Sequence, residues 1–479
     1  MPKVEERRPP EVEATRASVA WLAASTLAIA ATMASPARGE DLSITFSPAA
    51  NVSRTSTFSQ ASSIAHAGGQ SLFVAWEEIG GYLLLFSRAD VAAQTSSAPA
   101  LVLPGTLDLS FGQARLASLG VDDVQVVVTS FNTFTGGAEI VHAVSSDAGL
   151  TFPDPKVIST IDGFNSVIPD IAAGWGVVAA WLDNDLAAES SIECSVSEDG
   201  GETFTIPKRL DISEGSKSSP AIGLDGNGSA YVAWVQNDDP LQTLTAAEIF
   251  FTLSTDRGAT FSEPVNVSDD LDTSWPPRLA IDGRGVIYLL WPSGDFAVNQ
   301  RLMLSSSADG GATFTEPQVV AGPTASIYGD IAAVGDGVVW LAWNESNEPG
   351  DPASYQGYVT RSVDGSLTFA TPIPIPGATE IVAVAREEIF VTWHENPLGQ
   401  GLPDVFVMRG EVVVCGDANV DGAVSATDAL LALRAGVGSA SCAVCRCDVD
   451  GSGGLTATDA LLILNATVGR PLTLACEPF

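Results

Sequence analysis

An apolar strand ending in tryptophan returns every 50 to 57 residues through the middle of this 479-residue chain. A period of that length means stacked copies of one supersecondary unit, each too small to bury its own apolar face alone. The copies are Phe73-Val-Ala-Trp76, Val178-Ala-Ala-Trp181, Tyr231-Val-Ala-Trp234, Tyr288-Leu-Leu-Trp291, Trp340-Leu-Ala-Trp343 and Phe390-Val-Thr-Trp393. Val126-Val-Val-Thr-Ser130 reads as the same strand with Ser in place of Trp, which makes seven.

Each copy parses into four short strands. In the fourth they fall at 220–224, 230–234, 249–253 and 263–266, with Asp225-Gly-Asn-Gly at the first turn. Four antiparallel strands per repeat, arranged radially, make a β-propeller blade. Copy seven stops after its third strand near Arg409. Its missing strand is supplied from the N-terminus, where Phe46-Ser-Pro-Ala-Ala-Asn-Val-Ser53 echoes Phe261-Ser-Glu-Pro-Val-Asn-Val-Ser268. Joining first and last strands in one blade removes the open edge of the ring. The fold class is therefore mainly β: a seven-bladed propeller over residues 38–410, closed by its N-terminal strand, followed by a small all-α domain over 411–479.

A second marker, Ser-x-Asp-x-Gly-x-Thr-Phe, follows five of the strands, at Ser145 to Phe152, Ser197 to Phe204, Ser254 to Phe261, Ser307 to Phe314 and Ser362 to Phe369. The last has Ser366 where the others have Gly, and Ser87-Arg-Ala-Asp90 looks like a worn copy in the first blade. This motif resembles the Asp box of sialidase-like BNR-repeat propellers. Its Asp and Ser can satisfy backbone N–H groups of a turn, its Gly takes a positive φ, and its Phe packs between sheets. In the resembling family the box lies on the face opposite the catalytic one, so it implies the fold and not a site.

A functional face would be built from the loops after each Trp strand and those leading into each innermost strand. The first group carries Glu77, Glu78, Asp183, Asp185, Asp238, Asp239, Asp295, Glu345, Glu348 and Glu395, either as solvated loop polarity or as a calcium or sugar-hydroxyl surface. Aligned on the Trp strands, the innermost strands bring Ser63, Arg115, Asp170, Ala221, Arg278, Asp330 and Glu380 into register around the channel. Arg115 with Asp170, and Arg278 with Asp330, lie on neighbouring blades. They form either inter-blade ion pairs or a ligand site in the channel mouth. Resemblance to sialidases would imply three arginines around a substrate carboxylate and a Tyr nucleophile activated by Glu. Here only two ring positions carry Arg, the Phe-Arg-Ile-Pro signature is absent, and no Tyr–Glu pair can be assigned. Tyr328 is the tyrosine to follow.

The last 65 residues carry two near-identical 12-residue segments, each with oxygen donors at the positions a calcium loop requires. In the first these are Asp417, Asn419, Asp421, the Ala423 carbonyl, Ser425 through water, and Asp428. In the second they are Asp448, Asp450, Ser452, the Gly454 carbonyl, Thr456 and Asp459. Gly422 and Gly453 sit at the sharp turn. Each loop runs into Ala-Leu-Leu-x-Leu, a helix whose apolar stripe could bury against its twin. With no helix before either loop, and Asp rather than Glu at position 12, the pair resembles a type I dockerin. That resemblance implies calcium as cofactor and a cohesin-like or cell-surface partner, read in part by Ala426-Thr427 and Ala457-Thr458. Five cysteines in this region (Cys415, Cys442, Cys445, Cys447 and Cys476) point to disulfides in an exported chain. No His stands near to complete a zinc site, and Cys194, in a strand pattern, reads as a buried thiol.

Export is expected from the N-terminus. Basic residues precede an apolar run from Val19 to Met33, and Ser35-Pro36-Ala37 offers a cleavage site, so residues 1–37 read as a signal peptide that leaves no membrane span. With 58 acidic residues against 22 Lys and Arg, the chain disfavours nucleic acid and anionic lipid as partners. The expectation is a secreted, calcium-binding protein whose propeller binds a ligand or glycan without catalysis. The alternative is a sialidase-like glycoside hydrolase in polysaccharide catabolism.

Overall fold

The computed structural model describes residues 44–479 apart from short segments, the longest being 104–112, 238–246 and 396–403. Residues 1–37, expected to be a signal peptide, lie outside the described residues. Seven antiparallel sheets follow one another along the chain; six have their strands in sequence order from inside to outside, and the seventh takes its outer strands from the N-terminal end. Blade four is representative, with strands Ser216–Leu224, Ala230–Asn237, Glu248–Ser254 and Val265–Asn266. Its first turn is tied by Asp225, whose Oδ1 accepts the N–H of Asn227 and of Ser229, both at 2.8 Å. The tryptophans fill the layers between sheets, and Trp76, Trp181, Trp234 and Trp291 are fully buried.

Blade seven is closed as the repeat requires. Its own strands are Glu380–Ala385, Glu388–Glu395 and Asp404–Val412, and the outer position is filled by Ile44–Phe46 and Ala50–Asn51. The pairing places Ile44 opposite Val412 and Asn51 opposite Phe406. Two serines reproduce blade four in detail. The Arg409 N–H donates to Ser47 Oγ at 3.0 Å as Leu253 N–H does to Ser262 Oγ at 3.2 Å. The Val405 N–H donates to Ser53 Oγ at 3.0 Å as Ile249 N–H does to Ser268 Oγ at 2.9 Å. Ser53 and Ser268 then donate onward to Asp404 and Glu248. This acid–serine–amide staple recurs in blade two with Glu139, Ser159 and Ile140, and ties the outer strand to its neighbour.

The five Ser-x-Asp motifs, expected to resemble an Asp box, serve the turns. In the box beginning at Ser145, the serine donates to Asp147 at 2.7 Å and accepts from the Gly149 N–H at 2.8 Å, while Asp147 accepts both groups of Thr151. The same bonds recur in the other four. Gly149 has φ +81°, and a Cβ there would lie 1.8 Å from the Phe86 ring. Ser366 holds the equivalent left-handed conformation at φ +71° despite its side chain.

Register corrects two details of the sequence reading. Val124 lies opposite Ser145 as Val177 lies opposite Ser197, so Val128, not Ser130, occupies the Trp181 position. In blade one Ala89 lies opposite Leu72, the place of a box serine, whereas Ser87 bonds the Ser97 carbonyl as Ser195 bonds that of Thr205. Ser87-Arg-Ala-Asp90 is therefore no remnant of the box. Both errors are slips of two residues, which leave the alternation of faces unchanged.

Beyond the propeller stand helices Ala426–Gly436 and Ala457–Thr467, with a short turn of helix at Val444–Cys447. Disulfides join Cys415 to Cys476 and Cys442 to Cys447. Arg446 is buried, and its guanidinium meets Glu411 of the last propeller strand at 2.6 Å. The helices pack through Ala429, Ala432, Ala460 and Ile463. The apolar stripe of each helix meets its twin as expected, through the alanines, Ile463 and the partly buried Leu431 and Leu462 rather than through every leucine. Leu430 and Leu461 are 56% and 57% exposed, and Leu433 and Leu464 are exposed beside them.

Candidate functional site

Around the channel the structure brings the ring residues together as the alignment placed them. A bulge in the innermost strand immediately precedes Ser63, Asp170 and Ala221, turning the side chain that follows toward the axis. Four ring positions accept a backbone N–H from the next blade. Leu116 donates to Ser63 Oγ at 3.1 Å, and Ile222, Ile381 and Ile64 donate to Asp170, Asp330 and Glu380 at 2.9 Å each. Each ring acid thus stitches its blade to the neighbour one step on.

The arginines occupy positions where no such acceptor is available and pair with the acids instead. Arg115 meets Glu380 at 2.5 Å and Asp170 at 3.8 Å; Arg278 meets Asp330 at 3.5 Å. The Arg115–Glu380 contact passes over blade one, where Ser63 is short enough to leave the path open, and sequence adjacency did not suggest it. Burial pushes the carboxyls of Asp170, Asp330 and Glu380 above their ordinary range, against the pull of Arg115 and Arg278. Three acids against two guanidinium groups, each engaged in a pair or a backbone bond, form a structural girdle.

Tyr328 stands on the same strand and face as Asp330, at the mouth of the channel. Its ring packs at 5.9 Å from Tyr355 and its hydroxyl is bonded by Asn344. Burial raises its pKa, the opposite of what an activated phenolate nucleophile needs. Of the acidic loop residues, Glu77 caps the Gln113 and Ala114 amides and Asp183 accepts from Ser166 at 2.7 Å. Asp295 and Glu348 are exposed. Asp185, Asp238, Asp239 and the Glu395 side chain lie outside the described residues.

Two further acids, Glu139 and Glu193, were hidden within strand patterns. Each has a buried oxygen without a partner. Burial, with Asp183 and Asp162 nearby, pushes Glu193 up to about 7. In the unfolded chain this carboxyl ionises near its usual 4.5. Its contribution to stability is therefore complete below that value and is lost as pH rises through about 7. Glu193→Gln is expected to match the parent at pH 4.5 and to exceed it at pH 8 in urea denaturation, by about 1–2 kcal/mol once solvent screening of this half-buried group is discounted. Parallel stability profiles for the two proteins would contradict this.

Among the described residues, one set of three acidic, thiol or imidazole donors converges within 4.8 Å: Asp448, Asp450 and Asp459 of the second tail loop. The backbone already orients them. Asp448 accepts from Ser452 and Gly453, Asp450 from Ser452, and Asp459 from Val449 and Thr456 while capping its helix. Three hard carboxylates with a serine hydroxyl, a threonine hydroxyl and the Gly454 carbonyl close by suit calcium in donor type and number. The first loop repeats the capping half: Asp428 accepts from the Asn419 and Ser425 amides at 3.0 and 2.9 Å. Its Asp421, Gly422 and Ala423 lie outside the described residues.

No family model matches the chain, and no curated protein matches it. Solved structures do. An ulvan lyase of polysaccharide lyase family PL25 is 10% identical, with a TM-score of 0.53 over 74% of this chain and 94% of that one. The polysaccharide lyase Uly1 is 10% identical, with a TM-score of 0.50 over 73% and 89%. An α-L-arabinanase from Penicillium chrysogenum complexed with arabinobiose is 14% identical, with a TM-score of 0.46 over 64% and 95%. The two lyases share the propeller fold with this chain.

Proposed function

We propose that this is an exported protein whose propeller binds carbohydrate without cleaving it, and whose calcium-stabilised tail docks it to a cohesin-like or cell-surface partner. The observation that carries the non-catalytic reading is the girdle: both ring arginines and all three ring acids are committed to one another or to backbone amides. A sialidase-like hydrolase would need several guanidinium groups free to take a substrate carboxylate, and a tyrosine with a lowered pKa. Neither is available at Arg115, Arg278 and Tyr328. Carbohydrate as the ligand class is supported by the fold shared with two polysaccharide lyases.

Docking is supported by the tail's twin surfaces. Ala426, Thr427, Leu430, Leu433 and Val437 are exposed along the first helix, and Ala457, Thr458, Leu461, Leu464 and Val468 along the second. Equivalent residues on equivalent helices would let a partner bind either copy in the same way.

Purified protein is expected to release no fluorogenic aglycone from a sialoside, with Arg115→Ala and Arg278→Ala as controls. Turnover that both substitutions eliminate would replace this reading with a hydrolase.

A further inference from the structure

On blades five and six, two pairs of aromatic rings stand on loops and strand ends of the face that carries the turns after the Trp strands. Trp275, in the segment leading into blade five, is fixed by its N–H to Pro292 and its indole N–H to Gly294, both carbonyls at 2.9 Å. Its ring lies 6.0 Å from that of Phe296 in the loop after the Trp291 strand. Phe296 is 52% exposed. That loop is joined to blade six by the Ala297 N–H donating to the Ala325 carbonyl at 2.6 Å. Immediately beyond lie Tyr328, 44% exposed, and Tyr355, whose hydroxyl meets Ser326 Oγ at 3.4 Å.

The exposed rings of Phe296 and Tyr328 cost apolar hydration, and the core gains nothing from their exposed faces. Their negative π faces suit the weakly positive C–H faces of a sugar ring. The Tyr328 and Tyr355 hydroxyls stand at the polar ends of these rings, where a sugar hydroxyl can donate to them. Charge narrows the choice. Asp272 and Asp295 are exposed beside the patch, Arg301 is engaged with Asp272 at 3.3 Å and Arg278 with Asp330, and the whole chain carries a formal charge of −36. A polyanion would be repelled, with no unpaired cation among the described residues of this blade to hold it.

We infer that Trp275, Phe296, Tyr328 and Tyr355 form a stacking platform for an uncharged polysaccharide. The inference rests on the carbohydrate-binding reading and specifies its place and its ligand. The trial is affinity electrophoresis of the full chain in gels containing arabinan, xylan or galactomannan, and in gels containing ulvan or polygalacturonate. At least one neutral polymer is expected to retard the protein, and neither anionic one. Phe296→Ala and Tyr328→Ala should each weaken retardation about tenfold or more, Phe296→Ala with melting temperature unchanged. Retardation that both variants retain overturns the platform while leaving carbohydrate binding intact. Retardation by the anionic polymers alone overturns the choice of ligand. Retardation by none overturns the platform and the carbohydrate reading together.

Discussion

A chain lacking residues 38–55 is expected to melt well below the full protein. The deletion removes every bond across the outer edge of blade seven, including Ser47 N–H to the Arg409 carbonyl at 2.8 Å and Val52 N–H to the Val405 carbonyl at 2.9 Å. It also withdraws Val52, 1% exposed, from the core shared by blades one and seven, and Ile44 and Phe46 from that of blades six and seven. Burial of one such side chain is worth about 1.5–3 kcal/mol, and Asp404 loses both of its side-chain donors, Asn51 and Ser53. A total on the order of 5 kcal/mol is a large share of the stability of a single domain. The exposed strand 404–412 would also offer a pairing edge, so aggregation should accompany the loss. Calorimetry of the two proteins decides the matter: a truncated chain melting within about 2 °C of the intact one would mean that closure carries no weight.

The architecture was legible because a repeat multiplies weak signals. One Phe-Val-Ala-Trp strand is ambiguous, but seven at one period fix blade number, strand order and the closing segment. The echo of 261–268 in 46–53 even matched the serines that hold the outer strand. What failed was phase within a strand. Ser130 against Val128 and Ser87 against Ala89 differ by two residues, and a two-residue shift preserves which side chains point inward. Only cross-strand pairing separates them. Ring positions survived because each bulge lies before the ring residue, so counting back from the tryptophan never crosses it. The Arg115–Glu380 pair escaped notice because it depends on the small side chain of an intervening blade.

In the tail, Ala-Leu-Leu-x-Leu implied an apolar stripe on each helix but not which of its residues would meet the twin. Small residues, Ala429, Ala432 and Ala460, let the helices approach closely with Leu431 and Leu462 packed beside them, and Leu430, Leu433, Leu461 and Leu464 stand outside. A segment this small, with so little apolar surface buried, needs other fastenings. Two are present in the disulfides. The third is the proposed cation.

Calcium is accordingly expected to bind the full chain at about two sites, and its removal to loosen the tail while the propeller stays folded. Asp448, Asp450 and Asp459 hold their donor oxygens within 4.8 Å of one another. Without a cation, three carboxylates at that separation repel, and the backbone amides that orient them only partly offset the repulsion. Binding therefore releases strain in the loop as well as adding coordination bonds, and its free energy appears as folding free energy of the tail. At a calcium concentration 100 times the dissociation constant, each site would add about 2.7 kcal/mol. Titration calorimetry on the full chain should show heat that Asp417→Ala together with Asp448→Ala abolishes. Limited proteolysis should cut within 411–479 after chelation, and protection should return with calcium. Magnesium, which demands a tighter octahedron, should protect far less. A tail equally resistant with and without calcium, in a chain that gives no binding heat, would sink the assignment and leave the two loops as turns stabilised by their own aspartates.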